Sequence, residues 1–239
     1  MIRVMTEFEP WDVVGAQILA SWRSYRTVDP SAQFWLQSEG QAAVSLIDGL
    51  VLLSAREDAN FDELRAFLRM LPVTRLRCDE ALARQFPYPP EWRSILVRFV
   101  APKQPCGISP VTADDPGEVY DLLARCFDSM GDRARWMADM ALRWRAGTAQ
   151  TWIWERACSA SALALTEQYC FLGAVGTLPE HRGRGLAGQL LGCIAQRQLA
   201  AGRKVFLSCR EELLPFYENV GFALAGRQIT MKKEDPEIG

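Results

Sequence analysis

The sequence predicts an α/β fold of the α+β kind, built from two similar halves. Each half is expected to form a mixed, mostly antiparallel twisted sheet flanked by helices. Three observations carry this expectation. Short apolar strings in meander order alternate with segments of helical periodicity. The succession of three strands, helix, strand, short helix and strand occurs twice. Residues 171–191 read as a buried strand, a turn marked by Pro179, a loop rich in glycine and the start of a helix.

Residues 8–26 are amphipathic, with Trp11, Val14, Ile18, Leu19 and Trp22 at helical spacing, until Asp29-Pro30 breaks the pattern. Residues 32–37 and 41–55 read as three strands, with Asp48-Gly49 suited to a tight hairpin. Residues 61–70 form a helix capped by Asn60 or Asp62 and closed by Leu71-Pro72. A strand at 73–78, a short helix at 80–86 and a strand at 94–100 complete the first half. Residues 101–110 carry three prolines and a glycine and form the connector, so the domains are expected at 1–104 and 105–239. Helices follow at 118–127 and 133–145, the second with Trp136, Met140 and Trp144 along one face. Strands at 151–155, 161–166 and 169–177 lead into the loop. A helix over 186–200, a strand at 205–208, a short helix at 211–218 and a strand at 222–232 close the chain. The acidic tail from Glu234 is expected to fray.

The halves also agree in detail, as where Leu76-Arg77-Cys78-Asp79-Glu80 parallels Leu207-Ser208-Cys209-Arg210-Glu211. They differ where the second half has its glycine loop. The first half has Arg56-Glu57-Asp58-Ala59-Asn60 there, with no glycine and two acids that would repel a phosphate. The first half is therefore read as degenerate and non-binding.

Composition excludes several classes. A hydrophobic content of 49% with 23% charged residues is that of a soluble globular chain, and a net charge of −2 gives no reason to expect nucleic acid or an anionic membrane as partner. The first residues lack a hydrophobic signal core, so a cytoplasmic location is expected. The seven cysteines, an odd number with no close pairing, show no Cys-x-x-Cys, most of them are read as small core residues, and His181 is the single histidine, so no metal site is expected.

The glycine loop carries the chemistry. Backbone N–H groups at a helix N-terminus, aided by the macrodipole, favour an anion. Gly183 and Gly185 permit close approach, and Arg182 and Arg184 offer fork-shaped donors suited to phosphate. No Gly-Lys-Ser/Thr follows, which excludes a P-loop, and the dinucleotide fingerprint lacks its βαβ unit.

Arg182-x-x-Gly185-x-Ala187 resembles the Arg/Gln-x-x-Gly-x-Gly/Ala signature of the GNAT superfamily of acyl-CoA-dependent N-acyltransferases. Tyr217-Glu218-Asn219-Val220-Gly221-Phe222 resembles the family's second landmark, Tyr-x-x-x-Gly-Phe. The resemblance covers the second half well and the first by topology. It implies acetyl-CoA as cosubstrate, with Ala174, Val175, Gly176 and Thr177 along the pantetheine. The amides of Arg182, Gly183, Arg184, Gly185, Leu186, Ala187 and Gly188 would surround the pyrophosphate. It also implies direct attack by an amine in a ternary complex, with Tyr217 protonating the departing thiolate.

As residue types, these candidates keep bland alternatives. Tyr217 could be a packed aromatic beside Phe216 and Phe222. Glu167, at the turn entering the cofactor strand, is the first candidate general base; Glu155, Glu211 and Glu212 are others, and each could be solvated surface. His181 is a loop residue near phosphate, and Cys209 suits core packing better than covalent catalysis. Many family members carry Asn seven residues before the Tyr, where this chain has Arg210, which could signal an acidic substrate. Trp136, Trp144, Trp152 and Trp154 could wall the acceptor pocket or fill the core. A small-molecule or peptide amine is the expected acceptor, and a homodimer is compatible with the sequence. A non-catalytic acyl-CoA-binding regulatory protein is the alternative.

Overall fold

The computed structural model describes residues 1–233; the acidic tail from Glu234 lies outside the described residues. The first half of the chain runs through β1 (Ile2–Val4), α1 (Val13–Tyr25), β2 (Gln33–Gln37), β3 (Ala42–Ile47), β4 (Leu50–Ala55), α2 (Phe61–Met70), β5 (Arg75–Asp79), α3 (Glu80–Ala83) and β6 (Pro90–Phe99). The second half runs through β7 (Val111–Thr112), α4 (Pro116–Ala124), α5 (Arg133–Arg145), β8 (Gln150–Trp154), β9 (Cys158–Leu165), β10 (Tyr169–Thr177), α6 (Leu186–Ala200), β11 (Lys204–Cys209), α7 (Leu214–Val220) and β12 (Phe222–Lys232).

Local chemistry sets most boundaries. α1 begins at Val13 because the Asp12 carboxylate accepts the Gly15 amide at 2.6 Å, later than the sequence periodicity suggests. α2 is capped by Asn60, whose side chain accepts the Glu63 amide at 3.0 Å. Asp48 and Gly49 take φ of 52° and 76°, the paired left-handed residues of a tight hairpin turn between β3 and β4. The short strands β1 and β7 were not anticipated, because runs of this length carry no readable alternation.

Contacts divide the chain into two compact units, Met1–Ile95 with the segment from Gly226 onward, and Leu96–Ala225. This differs from a linear division at residues 104 and 105, because the chain changes unit within β6 and returns within β12. Strand order in the first unit is β1-β2-β3-β4-β5-β12, and in the second it is β7-β8-β9-β10-β11-β6. In both, the first four strands pair antiparallel and the fourth and fifth pair parallel. Each sheet is thus closed by a strand from the other half of the sequence. The halves repeat one topology and exchange their last strands.

In the first unit the core gathers Val44, Val51, Leu53, Leu64, Leu68 and Leu76, with Ile229 and Met231 supplied by β12. In the second, α6 packs on β9, β10 and β11, while α4 packs on β9 and β10. Among the described residues no helix is long and apolar enough to cross a membrane.

Candidate active site

The second unit splits its sheet at β10. Parallel pairing with β11 runs from Tyr169 opposite Lys204 to Leu172 opposite Leu207 and stops there. Pairing with β9 continues to Thr177 opposite Cys158, with register breaks between Phe171 and Leu172 and between Gly173 and Gly176. Ala174 sits at the second break with φ of 48°, a left-handed conformation in a strand, which marks a β-bulge. A Cβ at Gly173 beside it would meet Leu163 Cδ1 at 2.4 Å, so a larger residue there would have to displace that leucine. From Gly173 to Thr177 the flank of β10 that faced β11 has no strand partner among the described residues. Main-chain donors and acceptors there can pair with an extended ligand.

The loop after β10 ends at the N-terminus of α6. Gly183 and Gly185 take φ of 78° and 75°. Gly185 is the N-cap and offers no side-chain cap, and no acid stands in the first turn. The first intrahelical bond runs from the Gln189 amide to the Gly185 carbonyl at 3.1 Å. The amides of Gly183, Arg184, Gly185, Leu186, Ala187 and Gly188 therefore have no protein acceptor among the described residues. This is an anion cradle made of main chain.

The two arginines are placed otherwise than expected. Arg182 donates from Nε to the Thr177 carbonyl at 3.2 Å and from Nη2 to the Cys126 carbonyl at 3.3 Å, while its amide donates to Pro179 at 3.3 Å. Arg184 bonds His181 Nδ1 at 2.9 Å and Glu155 Oε2 at 3.1 Å. Both guanidiniums anchor the loop, and Arg182, bonded only to neutral carbonyls, keeps its positive charge beside the helix end. His181 serves as one of those anchors.

The first unit shows the contrast. α2 is closed by its own Asn60 and carries Asp62 and Glu63 in its first turn. Asp12 bonds Ser54 on β4 at 2.8 Å, and burial together with Asp12 pushes the Asp79 carboxyl up to about 6. Acids stand there in place of a cradle.

A cleft of about 390 Å³ opens beside the α6 N-terminus, lined by α6, by α7 and by residues 103–108 of the connector. Gly188 and Gly192 face Val220 of α7, where a Cβ would sit at ordinary contact distance, 3.5 Å. α7 ends at Gly221, whose φ of 115° and 2.0 Å approach of a would-be Cβ to the Ala101 carbonyl exclude a side chain. Tyr217 is 7% exposed, and its ring meets Phe216 and Phe222 edge-on at 5.0 and 5.9 Å. Burial, and secondarily Cys209 at the end of β11, push its phenol up to about 12. Burial, with Glu212 behind it, pushes the Cys209 thiol up to about 11, so that thiol is not an activated nucleophile.

Glu167 is exposed in the turn before β10, at the paired end of the strand. Four residues of strand, Tyr169–Leu172 and about 13 Å, lie between that turn and Gly173, so Glu167 stands at the end of β10 away from the split. Arg210 pairs with Glu212 at 3.1 Å on the surface. Trp152 is buried, and Trp136 and Trp144 pack with Leu123, Ile153 and Ala174, so these rings build core beside the bulge.

The cysteine expectation needs correction. Cys106 and Cys193, 87 residues apart, form a disulfide at the cleft, whereas Cys78, Cys158, Cys170 and Cys209 are buried free thiols. Spacing along the chain could not reveal a bridge between a connector and the middle of a helix. The bulge was also missed, although Gly173-Ala174-Val175-Gly176 inside a strand is a signal for one. Among the described residues no cluster could hold a metal ion.

The family model described as FR47-like protein matches residues 153–230, which span β9, the bulged strand, the cradle and Tyr217. No protein of curated function matches the chain by sequence. Among solved structures, a GCN5-related N-acetyltransferase from Kribbella flavida is 14% identical, with TM-score 0.62 over 93% of this chain and 97% of that one. This chain has the GNAT fold. A GCN5-related N-acetyltransferase from Sphaerobacter thermophilus is 18% identical, with TM-score 0.58 over 94% and 87% of the two chains. A tandem GNAT protein from the clavulanic acid biosynthesis pathway is 16% identical, with TM-score 0.56 over 93% and 89%. The tandem GNAT arrangement fits the repeated topology of the two units.

Proposed function

We propose that this protein is an acyl-CoA-dependent N-acyltransferase that uses acetyl-CoA to acetylate a primary amine by direct attack in a ternary complex. The observation that supports it best is the uncapped α6 N-terminus standing at the end of a strand whose flank is open from Gly173 to Thr177. Unclaimed amides suit a pyrophosphate, and an open strand edge suits the amide-bearing arm attached to it. Acetyl-CoA would supply the activated thioester.

The residues of this chain divide the remaining work. The amides from Gly183 to Gly188 hold the anion, and the main chain of Ala174, Val175, Gly176 and Thr177 orients the arm. Arg182 and Arg184 fix the loop. Tyr217 Oη keeps its proton at neutral pH and can donate it to a leaving thiolate. Glu167 remains the first base candidate, and Glu212, ion-paired to Arg210 at 3.1 Å, is a second. The acceptor is a small-molecule or peptide amine, and the working compartment is the cytosol.

A thermal-shift titration with acetyl-CoA, with ATP as control, tests the proposal. At a hundred times its dissociation constant the ligand should add about 2.7 kcal/mol to folding stability. A shift with acetyl-CoA and none with ATP is expected. Equal shifts would reduce the cradle to a general phosphate site.

A further inference from the structure

The cleft beside the cradle has one wall with little internal support. Its connector face, residues 103–108, belongs to a stretch from Pro102 to Pro110 that makes no backbone–backbone hydrogen bond among the described residues. Two attachments hold it to α6. Gln196 accepts the Cys106 amide at 3.2 Å and donates to the Gln104 carbonyl at 2.9 Å, and Cys106 is bridged to Cys193. The bridged sulfurs are unequal, since Cys106 is exposed while Cys193 is 1% exposed in the face of α6. A disulfide in a cytosolic protein is usually a redox-responsive one.

We propose that Cys106–Cys193 is a redox modification site that sets the affinity of the cleft for its acyl-CoA ligand. The proposal rests on the cofactor assignment made above. In the oxidised state the bridge holds the connector wall against α6. In the reduced state only the Gln196 bonds remain, and the wall moves away. The reductant is a dithiol protein or a small thiol such as glutathione. Its thiolate attacks Cys106 Sγ, the accessible sulfur, and forms a mixed disulfide. The electron pair of the old S–S bond leaves on Cys193 sulfur, which takes a proton from solvent. A second thiolate then displaces Cys106, so two electrons and two protons enter the protein while the reductant becomes a disulfide.

Acetyl-CoA, which has no free thiol, is titrated by calorimetry into oxidised protein, into protein reduced with a phosphine, and into Cys106→Ser. Reduction and the substitution should each weaken binding about fivefold or more, within the usual range of coupling between sites. By linkage, saturating acetyl-CoA should lower the potential of the pair by about 20 mV, the same fivefold converted for two electrons. Trypsin should cut after Lys103 faster in reduced protein, a readout independent of the ligand. Equal affinity in the two redox states, or tighter binding on reduction, would overturn the redox proposal and leave the cofactor assignment standing. No binding in either state would remove both.

Discussion

In the proposed reaction Tyr217 is the proton donor, and its buried environment keeps its phenol protonated. A buried phenol pushed up to about 12 remains a proton donor across the range in which amines lose their protons. Its ring also fills space between Phe216 and Phe222, and phenylalanine would keep those contacts. Tyr217→Phe should therefore leave stability and acetyl-CoA affinity unchanged and slow turnover by about 10²–10⁴-fold. Full activity in that variant would remove the hydroxyl from the mechanism. The helix end at Gly221 was readable in the sequence, whereas the role of Tyr217 rests on the resemblance of residues 217–222 to the family's Tyr-x-x-x-Gly-Phe landmark. The distance of Glu167 from the open flank was not readable in the sequence, for a physical reason. A strand read from sequence has two ends that look alike, and only the pairing of β10 with β11 shows which of them opens.

At the scale of elements, the two units place a helix N-terminus after their fourth strand and finish it in opposite ways. α2 satisfies its first amides with Asn60 and brings Asp62 and Glu63, whereas α6 starts at a glycine and satisfies nothing. Gly185→Glu should convert the second kind into the first. A carboxylate would stand over the free amides, and the left-handed φ of 75° would cost about 1–2 kcal/mol with any L residue. Acetyl-CoA binding should vanish by calorimetry while Gly185→Ala, which carries the strain without the charge, retains part of it. Equal loss in the two variants would assign the effect to backbone geometry and not to charge. This contrast was visible in the sequence, since glycines against acids at matching places is a compositional signal. The glycines at 173 and 176 hint at the bulge but leave its register open, and the connector wall was not visible at all, because it depends on a bridge between distant residues.

At the scale of the whole molecule, the exchanged strands make each unit depend on the far end of the chain. The last five residues of β12 pair with β5, from Gln228 opposite Asp79 to Lys232 opposite Arg75. They bring Ile229 and Met231, 6% and 2% exposed, into the first unit's core. Two such side chains are worth about 3–6 kcal/mol of burial, comparable with the 5–15 kcal/mol that holds a typical domain together. A chain ending at Ala225 should therefore lose its N-terminal half first. By hydrogen exchange, protection should collapse over β3, β4 and β5 and persist where β10 meets β11, although the deletion lies next to the latter in sequence. Separate expression of residues 1–104 and 105–239 should fail for the reciprocal reason as well, since the second piece lacks Leu96–Phe99, including Phe99 at 1% exposure. Protection of β5 that survives the truncation would mean that the first unit closes its sheet without β12. The repeat would then be two independent folds joined by a linker, as a linear reading of the sequence suggests.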